Sequence, residues 1–189
     1  ELDDVEDVFA YASDPELAHY LPAPQPYARQ DAEEFVARRV LASWDTRPVW
    51  ALTLNGNVIG DIELRFDPQH ETAELGYSVA RDHWGKGLAP EAARAVVQWG
   101  FEERGLAKVF ARTDARNTNS LRVMEKLGMT REGLLRSHLE KRGERIDEVY
   151  YGVLRAEWLA MERRKVRQRS ASSRAFLSSI DCLSHEVRP

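Results

Sequence analysis

The sequence predicts an α+β sandwich, and three observations carry that prediction. Residues 49–79 hold three runs of alternating apolar and polar side chains, separated by Asn55-Gly56 and Asp67-Pro68. That is the pattern of an antiparallel meander with one packed face. A strongly periodic apolar stripe follows from Ala89 to Phe101. Finally, the element order is helix, helix, three strands, helix, strand, helix, two strands, which mixes hairpins with helices around one connecting helix.

Each element has a local cause. Residues 1–20 place Val5, Val8, Phe9, Tyr11 and Ala12 among acids, and Asp14-Pro15 opens a second short helical turn. Leu21 to Pro26 contains three prolines and cannot be helix interior, because proline removes a donor and clashes with the preceding turn. A helix is predicted from Asp31 to Trp44 on the spacing of Phe35, Val36, Arg39, Val40 and Ser43. In the second strand Val58, Gly60, Ile62, Leu64 and Phe66 share a face, with Asp61, Glu63 and Arg65 opposite. Ala89, Ala92, Ala93, Val96, Val97, Gly100 and Phe101 then fall on one side of the central helix, and Gly105 suits its exit. Lys108–Asp114 reads as a strand and Ser120–Leu127 as a short helix stopped by Gly128. Met129–Leu139 and Glu144–Leu154 form a final hairpin.

The 189 residues suit one domain, and 43% hydrophobic residues suffice for a core without disulfide or metal staples. The single cysteine, Cys182, has no partner in the chain, which fits a reducing, cytoplasmic compartment. No run reaches membrane-span length and no charged-then-apolar leader opens the chain. Residues 162–189 carry seven Lys+Arg against three Asp+Glu, leaving 20 against 28 in residues 1–161. An acidic body argues against a phosphate-tracking surface, so no nucleic-acid partner is expected, and the basic, serine-rich tail reads as disordered. The predicted organisation is a domain over 1–161 and a tail over 162–189.

Gly85-Lys86-Gly87 joins a strand to the central helix. Such a loop offers free backbone N–H groups and the positive end of a helix dipole to an anion. It is not a Walker loop, since Gly87 and not Ser or Thr follows Lys86. Nor is it a dinucleotide fingerprint, since Pro90 stands where the third Gly or Ala belongs and the strands before it look antiparallel. Ahead of the short helix, Asn117-Thr118-Asn119-Ser120 supplies good capping residues.

These residues together resemble the GNAT N-acetyltransferases. The resemblance runs through Glu74-Leu75-Gly76-Tyr77-Ser78-Val79, Trp84-Gly85-Lys86-Gly87-Leu88-Ala89, Asn117-x-x-Ser120 and Glu125-Lys126-Leu127-Gly128-Met129. It ends with Glu132-Gly133, Asp147-Glu148-Val149-Tyr150-Tyr151 and Glu157-Trp158, covering roughly Asp4 to Met161. The branch it is most similar to is the RimJ/RimL-like, ribosomal-protein N-terminal type. The family's pyrophosphate loop reads Gln/Arg-x-x-Gly-x-Gly/Ala; Trp84 takes its first position, and Gly87-x-Ala89 is intact. The branch opens with a strand ahead of the acidic first helix, so with Glu1 as first residue that strand is expected to be absent.

The resemblance implies an α/β/α sandwich with a mostly antiparallel, twisted sheet splayed at its centre, and acetyl-CoA as cosubstrate without a metal. Tyr77, Ser78 and Val79 would pair with the pantetheine arm, Gly85, Lys86, Gly87, Leu88 and Ala89 would hold the pyrophosphate, and Asn117 would contact the cofactor. Ser120 maps onto the serine that protonates the departing thiolate, though it could equally serve only as a cap. Glu74, Glu63 and Glu140, directly or through water, and His138 are the candidate bases, and Tyr150 or Tyr151 could line the acceptor site. The acceptor is a protein N-terminus or a small amine. A catalytically impaired CoA-binding module is the alternative, and the choice between monomer and homodimer stays open.

Overall fold

The computed structural model describes residues 1–21 and 23–168. Cys182, Pro22 and the serine-rich stretch beyond residue 168 lie outside the described residues. Residues 1–153 form one compact unit. The unit from Leu154 onward contains, in its described part, a helix over residues 155–168.

A 3-10 turn (Leu2–Asp4) leads into α1 (Val5–Ala12), α2 (Pro15–Tyr20) and α3 (Arg29–Val40). Asp14 caps α2 with 3.0 Å bonds from the Glu16 and Leu17 amides, and Pro15 occupies the first helical position, where no N–H is needed. α3 ends earlier than the predicted Trp44. Its buried residues are Ala32 and Val36, whereas Val40 and Leu41 are exposed. Trp44 leaves the helix to pack edge-on against Trp50 at 5.1 Å and Trp99 at 6.2 Å. Aromatic packing in the connecting turn thus wins over continuing an apolar stripe that has nothing to cover.

The sheet strands are β1 (Val49–Leu54), β2 (Asn57–Asp67), β3 (Thr72–Val79), β4 (Lys108–Asp114), β5 (Thr130–Lys141) and β6 (Glu144–Leu154). Their order is β1-β2-β3-β4-β6-β5. The β1/β2, β2/β3 and β5/β6 pairs are antiparallel, and β3/β4 is parallel. α4 (Leu88–Glu103) packs on β2 and β3, and α5 (Thr118–Lys126) beside α4 and β4. α1 packs on α3 and β2 from the other face. Val8, Tyr11, Ala12, Leu17, Ala32, Val36 and Val58 make the core there.

β2 corrects the one-packed-face reading. Seven consecutive residues from Val58 to Leu64 are buried, including Asp61 and Glu63. α1 and α3 cover that face, and arginines pair its carboxylates, so the polar positions are not a solvated surface. An irregularity opposite Leu52 and Thr53 shifts the alternation within β2, which lets Val58 join the α1–α3 core while Ile62 and Leu64 face α4.

Candidate active site

β3 and β4 pair only at their starts, Thr72–Glu74 against Lys108–Phe110. Beyond this they diverge, so the edge of Leu75–Val79 that looks toward β4 carries no strand. Successive strand residues turn their N–H and C=O groups to alternate edges. The Ala80 amide bonds Ile59 on β2 at 2.7 Å, whereas the Val79 carbonyl accepts from the Trp84 indole on the opposite side, also at 2.7 Å. Tyr77 and Val79 therefore present their backbone to the gap, and Ser78 presents its own to β2. A cavity of about 930 Å³ occupies the divergence.

Gly60 allows the close approach of β2 and β3 at this place. A Cβ added there would lie 2.2 Å from the Ser78 carbonyl oxygen. The loop after β3 needs glycine for a different reason: Gly85 and Gly87 sit at φ of 74° and 85°, the left-handed region, with open space around both. Gly87 is the residue from which α4 starts, and no side chain caps it. The first amides of α4, Leu88 and Ala89, have no partner within the helix, and Pro90 has no donor at all. Gly85, Gly87, Leu88, Ala89 and Pro90 line the cavity, and Lys86 does not.

At the start of α5, capping falls to Asn117, whose side-chain oxygen accepts from the Ser120 amide at 3.1 Å. The helix accordingly begins at Thr118 and not at Ser120, and the Ser120 hydroxyl is released from capping. It lies 2.8 Å from the Tyr77 hydroxyl, whose pKa burial pushes up to about 12 against the smaller opposing effect of the Ser120 bond. Asn117, Ser120 and Tyr77 all line the cavity.

Charged residues floor the other side. Asp61 is the cross-strand neighbour of Ser78, accepts its hydroxyl at 2.5 Å and meets Arg39 Nη2 at 2.9 Å. Burial pushes the Asp61 carboxyl up, offset in part by Arg39 and Ser78. Glu63 is held by Arg39, by Arg47 at 2.6 Å and by Arg65 at 2.8 Å. Burial works against its ionised form, but the Arg47 bonds and the charges of Arg39 and Arg65 prevail and hold it below the ordinary carboxylate value. Glu74 is clamped by Arg65 at 2.6 Å and Arg112 at 2.8 Å, and Arg112 continues to Glu148 at 3.0 Å.

The structure brings Tyr77, Ser78, Val79, Gly85, Gly87, Leu88, Ala89, Asn117, Ser120, Glu63 and Glu74 to one cavity. It does not bring Glu140, His138, Tyr150 or Tyr151 there. Glu140 is exposed on β5, 3.9 Å from Arg145, and His138 lies 3.8 Å from Glu148. Tyr150 stacks on Phe110, and Tyr151 is buried. The sequence reading missed Asp61, Arg39 and the Tyr77 hydroxyl. The turn that begins at Asp67-Pro68 sets a β2/β3 register in which Asp61 faces Ser78, and counting that register was the available signal.

Comparison with known proteins agrees with this arrangement. The sequence model described as an acetyltransferase (GNAT) domain matches residues 1–130. An uncharacterised N-acetyltransferase of Bacillus subtilis strain 168 is 34% identical over 159 residues, 84% of this chain and 92% of that protein. A GNAT-family acetyltransferase from Bacillus anthracis superposes with a TM-score of 0.75 at 32% identity, over 83% of this chain and 92% of that one. Spermidine N-acetyltransferase from Vibrio cholerae, solved with CoA and spermine, has a TM-score of 0.70 at 21% identity, over 84% of this chain and 94% of that one, a likeness of fold alone.

Proposed function

The chain belongs to the GNAT acetyltransferase family, and from that premise we propose direct transfer of acetyl from acetyl-CoA to a primary amine. Residues 1–161 are the catalytic domain in this reading, of the RimJ/RimL-like branch, and the acceptor is a protein N-terminal α-amino group or a small amine. The observation that carries it is the strandless edge of β3 inside a cavity that also holds the α4 entry loop.

The residues present fit the cosubstrate. Backbone groups of Tyr77 would pair with the amides of an extended arm, as an added strand would. Amides from Gly85 to Ala89 would meet the pyrophosphate at the positive end of α4. The Val79 N–H would polarise the thioester carbonyl, and Ser120, aligned by Tyr77, would donate a proton to the departing sulfur. Because Asn117 performs the capping, Ser120's hydroxyl is available for that role. An intact glycine loop and a Ser120 hydroxyl not spent on capping favour catalysis over a CoA-binding module without turnover.

The test is thermal unfolding with and without acetyl-CoA, then an amine panel. A ligand at a hundred times its Kd adds about 2.7 kcal/mol of stability. The expected result is an upward shift that Gly87→Glu abolishes, followed by thiol release with at least one amine. No shift in a cooperatively melting protein would overturn the reading.

A further inference from the structure

We infer that Asp61 is the group that takes the proton from the incoming ammonium. The inference rests on the acetyl-transfer reading above and supplies the part that reading lacks. An amine attacks only as the neutral species, and α-amino groups and alkylamines are mostly protonated at neutral pH. An acceptor facing the cavity would speed the loss of that proton.

The four bases that the sequence offers fit less well. Glu63 has three guanidinium partners and Glu74 has two, both on its Oε1, so the charge of each carboxylate is already shared among several cations. Glu140 and His138 lie on the β5–β6 hairpin, away from the cavity. Asp61 lines the cavity with one guanidinium and one hydroxyl on it.

Its placement also suits the chemistry. Asp61 sits one strand across from Ser78, beside the segment whose Val79 N–H would hold the thioester carbonyl. Strand alternation sets Ser78 and Asp61 on the face of α1 and α3, and Tyr77 with its Ser120 partner on the face of α4 and α5. The proton acceptor and the proton donor thus stand on opposite faces of the sheet, so the amine would arrive from one face while the thiolate is protonated from the other.

The groups facing Asp61 come from every neighbouring element. Tyr11 of α1, Tyr27 before α3, Arg39 of α3, Arg47 before β1, Ser78 of β3 and Glu63 of its own strand all act on it. Arg39, Arg47 and Ser78 favour its ionised form, and Glu63 and burial oppose it. The balance leaves a carboxylate more basic than an exposed one, which improves its match to an ammonium.

In the step, one N–H bond of the ammonium breaks and its proton passes to Asp61, which later releases it to solvent. The nitrogen lone pair forms the C–N bond as the C–S bond breaks. The nitrogen sheds its second proton to solvent, and Ser120, having given its proton to sulfur, takes one back from solvent, so the turnover yields the amide, the CoA thiol and one net proton.

The experiment uses the full chain, acetyl-CoA, and the best acceptor from three probes: a peptide beginning with alanine, spermidine and an aminoglycoside. Asp61→Asn is expected to bind acetyl-CoA as wild type does, and to lose about 100-fold or more in kcat/KM at neutral pH. The deficit should narrow as pH rises past the amine's own pKa, because solution then supplies neutral amine. Asp61→Glu should recover part of the rate. If Asp61→Asn does not fold, Ser78→Ala carries the test: it removes a hydrogen bond to the carboxylate form, raises the Asp61 pKa, and moves the acid limb of kcat/KM to higher pH. Wild-type rates in Asp61→Asn, a loss equal at every pH, or an unmoved limb in Ser78→Ala would overturn the assignment. A wild-type chain that binds no acetyl-CoA overturns the functional reading itself, which is distinguishable because no Asp61 variant is involved.

Discussion

The Tyr77 and Ser120 hydroxyls meet at 2.8 Å, joining the strandless edge of β3 to the first turn of α5. Ser120→Ala is expected to lower kcat by about 100-fold while leaving acetyl-CoA affinity unchanged. Tyr77→Phe removes only the alignment and should cost less. With its pKa pushed up to about 12, Tyr77 stays protonated through the assay range. No alkaline limb that Tyr77→Phe would remove is therefore expected. Pre-steady-state thiol release on both variants decides the matter.

Gly60→Ala should damage binding and stability together. Its new Cβ would meet the Ser78 carbonyl at 2.2 Å and the Val79 Cα at 3.0 Å, so β3 must move where the cosubstrate would pair. Overpacking of this kind costs about 1–3 kcal/mol. Urea unfolding and calorimetric titration with acetyl-CoA should both report a loss, with Gly105→Ala, remote from the cavity, affecting unfolding alone.

The two buried carboxylates of β2 should push stability in opposite directions with pH. Glu63 is held below its ordinary value of 4.5, so its contribution is complete above that pH and is lost as pH falls through the folded value. Asp61 is raised above 3.8, so its contribution is complete below that pH and is lost as pH rises through the folded value. Urea midpoints between about pH 3 and about pH 8 should show wild type losing ground to Asp61→Asn as pH rises through Asp61's folded value. Glu63→Ala should cost about 1–3 kcal/mol at neutral pH, because Arg47 loses its carboxylate while half-exposed and Arg39 keeps only Asp61.

Glu140→Gln is the contrasting case. Exposed and 3.9 Å from Arg145, Glu140 touches nothing in the cavity. Its rate and melting temperature should match wild type, within the roughly 0.5 kcal/mol of an ordinary surface change. A large loss in kcat would show that the hairpin end reaches the acceptor.

Much of this was legible in the residues. Turn chemistry at Asn55-Gly56 and Asp67-Pro68 located the meander, and the stripe from Ala89 to Phe101 located α4. The motif around Tyr77, Gly87 and Asn117 brought the cavity lining together from three segments. What escaped depends on contacts between distant segments. Asp61 and Glu63 read as a wet strand face because nothing local to β2 announces that Arg39, 22 and 24 residues earlier respectively, will cover them. Ser120 and Asn117 are equally good caps by type, and only the backbone at the entry to α5 decides between them.

The cavity reaches through the sheet, with the Asp61–Ser78 pair on one side and the Tyr77–Ser120 pair on the other. That arrangement governs traffic as well as chemistry. Two ligands that enter from opposite sides need not queue for one doorway, and an acetylated product can depart without first evicting spent CoA. A large acceptor, such as a folded protein offering only its terminus, never has to accommodate the nucleotide end of the donor. Under the proposed reaction, acceptor choice would rest with α1, α2 and the segment holding Ala23, Pro24 and Tyr27, and donor binding with β3, α4 and α5.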